Sequence, residues 1–393
     1  MRLDTIQALR ALAAYLVIFF HIRALELEAA TATSQGDSPL IGGFLSNGYA
    51  GVDLFFVISG FIMVFVTANR PESLSTIRDF LLARIFRIYP TWWFFAAILA
   101  TYMVITYGVP WDPAALAESG NGGVNYVIRS IFLLPQPNFP ILGVGWTLVH
   151  EMYFYFAFAF ILLAPRKLLP IGLLVWAAIV TGGALAGWTE SFGNTFRDLI
   201  FYPMTLEFIA GALAGWLFVK GIRIFPLAAF LIGLVSLFVV MAYLPPPNRF
   251  TLIWGRVLAF TLPCVLLVYG AAGLGHLIKG ALAKAMTTLG DWSYSLYLSH
   301  MLTLAALTRI YPVIAHKAEA KLGLPTELAD MLRLGSPGIL DNVFFTVTGV
   351  IAVTIVAGFS FYLFERPVLK LLNRFRHRQP DKVKARLAET TAP

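Results

Sequence analysis

Charge is scarce in this sequence. Asp, Glu, Lys and Arg make up 13% of its 393 residues, against 59% hydrophobic ones, whereas soluble domains carry about 25% charged residues. That shortage excludes an ordinary soluble domain, and a mean hydropathy of +0.76 requires most of the apolar surface to face lipid. Cysteine is nearly missing: Cys264 stands alone in an apolar run, so no disulfide forms within the chain. Low-complexity tracts and convincing internal repeats are also lacking, which argues against solenoids and linker arrays. Acidic residues are outnumbered 21 to 29 by Lys and Arg, for a net charge of +8. The basic residues cluster in short segments between apolar runs, so the excess reads as membrane orientation and no nucleic-acid partner is expected.

What is present is a series of ten apolar runs long enough to span a bilayer, which takes about 20 residues each. They fall at 5–25, 47–68, 88–107, 142–164, 168–188, 198–219, 224–244, 252–274, 288–311 and 342–364. Turns such as Pro165-Arg166-Lys167 and Pro245-Pro246-Pro247-Asn248 separate them. The chain therefore reads as an all-α integral membrane protein with about ten transmembrane helices. Arg70, Arg78, Arg84 and Arg87 on one inter-run segment, Arg166 and Lys167 on another, and a basic end after Glu365 place both termini in the cytoplasm. The longer outer loops fall at 26–46, 108–141 and 312–341. Ala30-Thr31-Ala32 resembles a signal-peptidase site, but Asp4 and the His21-Ile22-Arg23 interruption favour a retained first span. Residues 1–366 form the membrane domain and 367–393 a basic cytoplasmic tail.

Arg10 and His21 lie eleven residues apart in the first run. Eleven helical steps make about three turns, so both project from nearly one face, roughly 16 Å apart along the axis. With the N-terminus inside, Arg10, Arg84 and Arg87 come to the inner face. His21, Asp53, His150, Glu151, Glu207 and His300 come to the middle or outer half. Ionisable residues at such depth mark pathways or reaction sites. Arginine forks suit phosphates, and a neutral histidine beside a carboxylate suits proton abstraction from a hydroxyl. Each assignment has a plainer counterpart. Arg84 and Arg87 also fit anchoring at inner headgroups, His150 and His300 fit hydrogen bonds that staple helices, and Glu207 fits a helix-packing contact. The aromatic runs Trp92-Trp93-Phe94-Phe95 and Tyr153-Phe154-Tyr155 fit an interfacial belt and packing. The histidines lie on separate runs with no short ligand spacing, so no metal is expected.

Six strings in order then resemble the membrane-bound acyltransferase-3 family. They are the Arg10/His21 run, GVDLFFVISGFIM (51–63), Arg84-Ile85-Phe86-Arg87, GWTLVHEMYFY (145–155), SYSLYLSH (293–300) and FERP (364–367). The resemblance covers nearly the whole chain and is greatest to exopolysaccharide acetyltransferases. It implies O-acylation, usually O-acetylation, of a carbohydrate on the far side of a bacterial inner (plasma) membrane, with cytoplasmic acetyl-CoA as acyl donor. The implied acceptor is a polysaccharide or lipid-linked glycan, and membrane lipid and polysaccharide biosynthesis machinery are the implied partners. The family's Arg-x10-His pair maps onto Arg10 and His21, its Arg-x-x-Arg pair onto Arg84 and Arg87, and the acid of its Trp-Ser-Leu-x-x-Glu pattern onto Glu151, with Thr147 in place of the serine.

Together these readings assign catalysis to His21, with Glu151, Asp53 and His300 as orienting groups, and CoA phosphates to Arg10, Arg84 and Arg87. His21 acts either as a general base or as a covalent acyl carrier. A succinyl transferase acting on periplasmic glucan is the nearest rival. It needs a further cation at the thioester end, for which Arg256 is the outer-half candidate. A proton-coupled carbohydrate transporter or flippase is the rival from another class, and a scaffolding membrane subunit a third. The charge asymmetry yields a direct prediction: reporter fusions at Asp381 and Asn248 report cytoplasmic and periplasmic locations respectively. A C-terminal reporter found outside would overturn the depth assignments.

Overall fold

A helix that carries polar residues through hydrocarbon must bury them against other helices, and the first helix does so on two sides. In the computed structural model, which describes residues 3–33, 43–117, 122–189, 193–244, 254–275 and 280–376, α1 runs Asp4–Ala32. Its Ile6, Leu9, Ala13 and Leu16 enter one apolar core together with Leu54, Val57, Phe61 and Leu267. Its Ala14, Ile18 and Ile22 enter a second core with Leu296, Leu304, Phe345 and Val353. At about 100° per residue, these two stripes flank the line through Arg10 and His21. The site face of α1 therefore lies between two packed faces.

Ten helices among the described residues are long and apolar enough to cross a membrane. After α1 come α2 (Ala50–Thr67), α3 (Leu74–Tyr107), α4 (Trp146–Ile161), α5 (Leu169–Leu185) and α6 (Thr205–Val219). Then follow α7 (Pro226–Tyr243), α8 (Trp254–Gly273), α9 (Ser293–Leu322) and α10 (Leu340–Ser360), the last extended by a π-turn at Phe361–Glu365. The chain is an all-helical, multi-pass membrane protein, as its composition indicates. The tripled proline turn at 245–248, Lys279 and most of the basic tail, including Asp381, lie outside the described residues.

Element ends depart from the hydropathy reading where helices leave the apolar layer. The third run reads as 88–107, but α3 begins at Leu74, where Ser73 caps it by accepting from the Thr76 amide at 3.3 Å. Arg78, Arg84 and Arg87 therefore stand on a helix and not in a loop. Pro90 lies inside α3 and removes one backbone donor, a defect that membrane helices tolerate. The ninth run divides: a separate helix Ala281–Asp291 precedes α9.

The chain forms two compact units. Unit 1 comprises Met1–Ala68 and Leu173–Gly358, and unit 2 comprises Asn69–Gly172 and Phe359–Pro393. In unit 1, α2 and α6 cross at close range. A Cβ added at Gly60 would stand 1.9 Å from the Phe208 carbonyl oxygen, and one at Gly211 would stand 2.0 Å from that of Val57. Between helices in lipid, small residues allow backbone approach and van der Waals packing holds the pair. The same device seats α1, because a Cβ at Gly51 would meet the Ala13 carbonyl oxygen at 2.2 Å.

In unit 2, aromatic residues that fit an interfacial belt take a capping role. The short helix Gly123–Phe132 ends with carbonyls that have no helical partner. Trp92 Nε1 donates to the Ser130 carbonyl at 3.1 Å, Trp93 Nε1 to Ile131 at 3.0 Å, and Tyr89 Oη to Phe132 at 2.9 Å. Positions 89, 92 and 93 share one face of α3, so three consecutive carbonyls are satisfied by one helix.

The glycine crossing generates a prediction. Gly211→Ala should lower the thermal midpoint in detergent by an amount corresponding to about 1–3 kcal/mol, the usual cost of overpacking. Gly182→Ala, where an added Cβ meets open space, should leave the midpoint unchanged or raise it. Equal midpoints for the two variants would remove the crossing from the account.

Candidate active site

Unit 1 brings His21 and His300 together. His300, fully buried on α9, places Nε2 3.2 Å from Nδ1 of His21, with ring centroids 4.8 Å apart. Each Nδ1 also meets a backbone carbonyl: that of His21 meets Val17 at 2.9 Å, and that of His300 meets Tyr297 at 2.7 Å. A carbonyl only accepts, so both Nδ1 atoms carry hydrogen. His300 Nε2 is then a lone pair turned toward His21, whose Nδ1–H is shared between Val17 O and His300 Nε2. The lone pair of His21 Nε2 is left to take a proton. His21 is only partly buried, with Phe20 edge-on to its ring at 5.1 Å. This is the chemistry of a general base held in one tautomer by a neighbour. Arg10 lies partly buried toward the N-terminal end of the same helix.

Asp53 lies on α2 in the same unit. Arg256 of α8 donates from Nε to Asp53 Oδ1 at 2.8 Å and from Nη2 to Oδ2 at 2.7 Å. Its Nη2 also reaches the Tyr49 carbonyl at 3.3 Å, and its guanidinium stands 4.5 Å from the Tyr49 ring centroid. Both carboxylate oxygens of Asp53 are thus engaged by one guanidinium fork. Glu207, fully buried on α6, faces this pair. Its side chain comes within hydrogen-bonding reach of Asp53, joining α6 to α2. The cluster ties α2 to α8 through charge.

Unit 2 holds the other candidates. The Glu151 carboxylate accepts from the hydroxyl of Tyr155, one turn further along α4. The Tyr155 ring lies 5.8 Å from the Arg84 guanidinium, and the Phe80 ring lies 5.7 Å from it. Arg84 is therefore flanked by aromatic faces, an arrangement guanidinium groups favour. Arg87 instead forms an ion pair with Glu365 on the π-turn, Nη1 to Oε1 at 2.6 Å. His150 is buried with its ring edge-on to Trp146 at 5.7 Å, a packed position. In the sequence, Tyr155 fits only an interfacial belt or packing, and Glu365 has no assigned role. The motifs containing them were visible, but nothing in their spacing reveals a partner on another helix.

Among the described residues no group of three or more His, Cys, Asp or Glu side chains could hold a metal ion. The fold is that of a multi-span membrane protein with an imidazole pair in one unit and partnered arginines in the other. The chain belongs to the acyltransferase-3 family: the family model described as "Acyltransferase domain" matches residues 3–363, and the protein is an acyltransferase. It is also 30% identical over 344 residues to "Exopolysaccharide production protein ExoZ" of Rhizobium meliloti (strain 1021), a match covering 84% of this chain and 92% of that protein. No solved structure matches the chain.

The Asp53–Arg256 geometry predicts a stability effect. Arg256→Met would leave two buried carboxylates without their guanidinium and should cost about 3–5 kcal/mol, read as a large fall in thermal midpoint in detergent. An unchanged midpoint would show that the pair contributes nothing to holding α2 against α8.

Proposed function

We propose that this protein transfers an acetyl group from cytoplasmic acetyl-CoA to hydroxyls of an exported polysaccharide or a lipid-linked glycan, in a bacterial inner membrane. The observation that carries the reading is the contact of His21 Nδ1 with Val17 O and His300 Nε2, which leaves Nε2 to act as the base. His21 Nε2 takes the proton of an acceptor hydroxyl while the hydroxyl oxygen attacks the thioester carbonyl. The tetrahedral adduct then expels CoA thiolate, which takes the proton back from the imidazolium. His300 acts as the positioning residue, because its lone pair accepts the Nδ1–H that becomes more acidic as His21 charges. Arg84, Arg87 and Arg10 bind the donor's phosphates, with Glu151 supporting Arg84 through Tyr155. Asp53 serves as a clamp for Arg256.

Two observations favour acetyl over succinyl and glycan over other acceptors. A succinyl carboxylate calls for a cation in the outer half, and Arg256 is already held by both oxygens of Asp53. The name of the Rhizobium relative supports exopolysaccharide as the acceptor class, with the polymer's biosynthesis machinery as the natural partner. Family membership weighs against the transporter and scaffold readings.

His21→Ala and His21→Gln should both accumulate normally yet lose transfer, since loss of a general base removes about 10²–10⁴ in rate. The purified polymer should then lack acetyl signals in its proton NMR spectrum. Wild-type acetylation in the His21→Ala strain, at normal protein level, would reduce the histidine to a helix staple. In parallel, Arg84→Ala should weaken CoA binding about tenfold or more, the loss expected for a charge-assisted hydrogen bond. Calorimetry in detergent reads that loss directly, and unaltered affinity would return Arg84 to anchoring.

A further inference from the structure

The two arginines of the Arg84-Ile85-Phe86-Arg87 string are built differently, and the difference lies on the π-turn. Arg84 is flanked by the rings of Phe80 and Tyr155. Arg87 is paired with Glu365, whose side chain is 0% exposed while that of Arg87 keeps 25%. Phe364, the neighbour of Glu365, stacks on Phe94 with centroids 4.3 Å apart and planes at 21°. Positions 87 and 94 of α3 are seven residues apart and share one stripe. The π-turn Phe361–Glu365 thus presses two consecutive residues on that stripe, one apolar and one charged. Single π-turns inside α-helices occur often at functional positions.

A carboxylate with no exposure cannot swing into water to make room for an incoming anion, because desolvation of both partners makes separation costly. Glu365 is therefore a fixed counter-charge and not a gate. It ties down one nitrogen of a long, flexible side chain that is a quarter exposed. A long arginine side chain loses rotamer entropy when it is frozen, and anchoring it beforehand removes part of that loss from the binding step.

We propose that Glu365 is a positioning residue of the acyl-donor site: it holds Arg87 in the orientation that meets a phosphate of the donor, and the π-turn aims it there. The proposal rests on the reading of Arg87 as a donor-phosphate ligand.

The test measures KM for acetyl-CoA and kcat on purified protein, with CoA release as the readout, in wild type, R87A, E365Q, E365D and R87A/E365Q. E365Q preserves shape and removes charge. It should raise KM about three- to tenfold, the span expected when one side chain must be immobilised on binding, with little change in kcat. E365D keeps the charge one methylene shorter and should fall between E365Q and wild type, which also gives a readout if E365Q accumulates poorly. In the R87A background, E365Q should add no further rise in KM, because Glu365 acts through Arg87. A wild-type KM in E365Q, with KM raised in R87A, overturns the positioning role and leaves the donor reading intact. An equal added loss in both backgrounds, or a fall in kcat with KM unchanged, overturns it in favour of a merely structural ion pair. A wild-type KM in R87A overturns both the donor contact and the role built on it.

Discussion

The proton on His21 Nδ1 governs what the histidine pair can do. Shared between Val17 O and His300 Nε2, it commits the opposite nitrogen to accepting protons. It also gives the positive charge that would form there an immediate acceptor. That geometry depends on packing well away from the rings. His21 is aimed by α1, and α1 is gripped by two cores through Leu9, Ala13 and Leu16 on one side and Ala14, Ile18 and Ile22 on the other. The close approach of Gly51 to Ala13 fixes α2 beside it. In a bilayer, where association of helices has no hydrophobic drive, such backbone contacts hold the register that the imidazole pair requires.

Charge in this protein is placed in matched sets. Asp53 is closed by a bidentate guanidinium, and Arg87 by a buried carboxylate. Arg84 is bordered by ring faces, one of which belongs to the tyrosine that hydrogen-bonds Glu151. Each arrangement lowers the cost of keeping an ion in a poorly solvated place. They do so differently, and the differences separate roles that a residue inventory would merge. A fully closed pair such as Asp53–Arg256 holds helices. An arginine tied at one nitrogen, like Arg87, keeps its side chain a quarter exposed.

Span number and class were legible in the sequence because they follow from length and hydropathy alone. The Arg10–His21 face was legible because helical periodicity converts spacing into direction. The partnership of His21 with His300 was not, since 279 positions separate them and nothing in either run specifies the contact. The same limit hid Arg87–Glu365 and the pairing of Asp53 with Arg256. The start of α3 was obscured for another reason: hydropathy registers the apolar layer, whereas the Ser73 cap and sound helix formers carry the helix past it.

Acyl transfer from a thioester needs a base for the acceptor hydroxyl and a grip on an anionic donor. These demands conflict electrostatically, because cations placed near an imidazole weaken its hold on a proton. Under the proposed function, this chain meets the conflict by compensation. The guanidinium on α8 is neutralised by Asp53 and faced by Glu207, and the imidazole is supported by a second, neutral-capable ring in place of a carboxylate. A histidine in that supporting position adds no fixed charge to the membrane interior yet still accepts the Nδ1–H. A base oriented by a neutral neighbour is weaker than one oriented by an aspartate, but within hydrocarbon it avoids the desolvation of an additional ion.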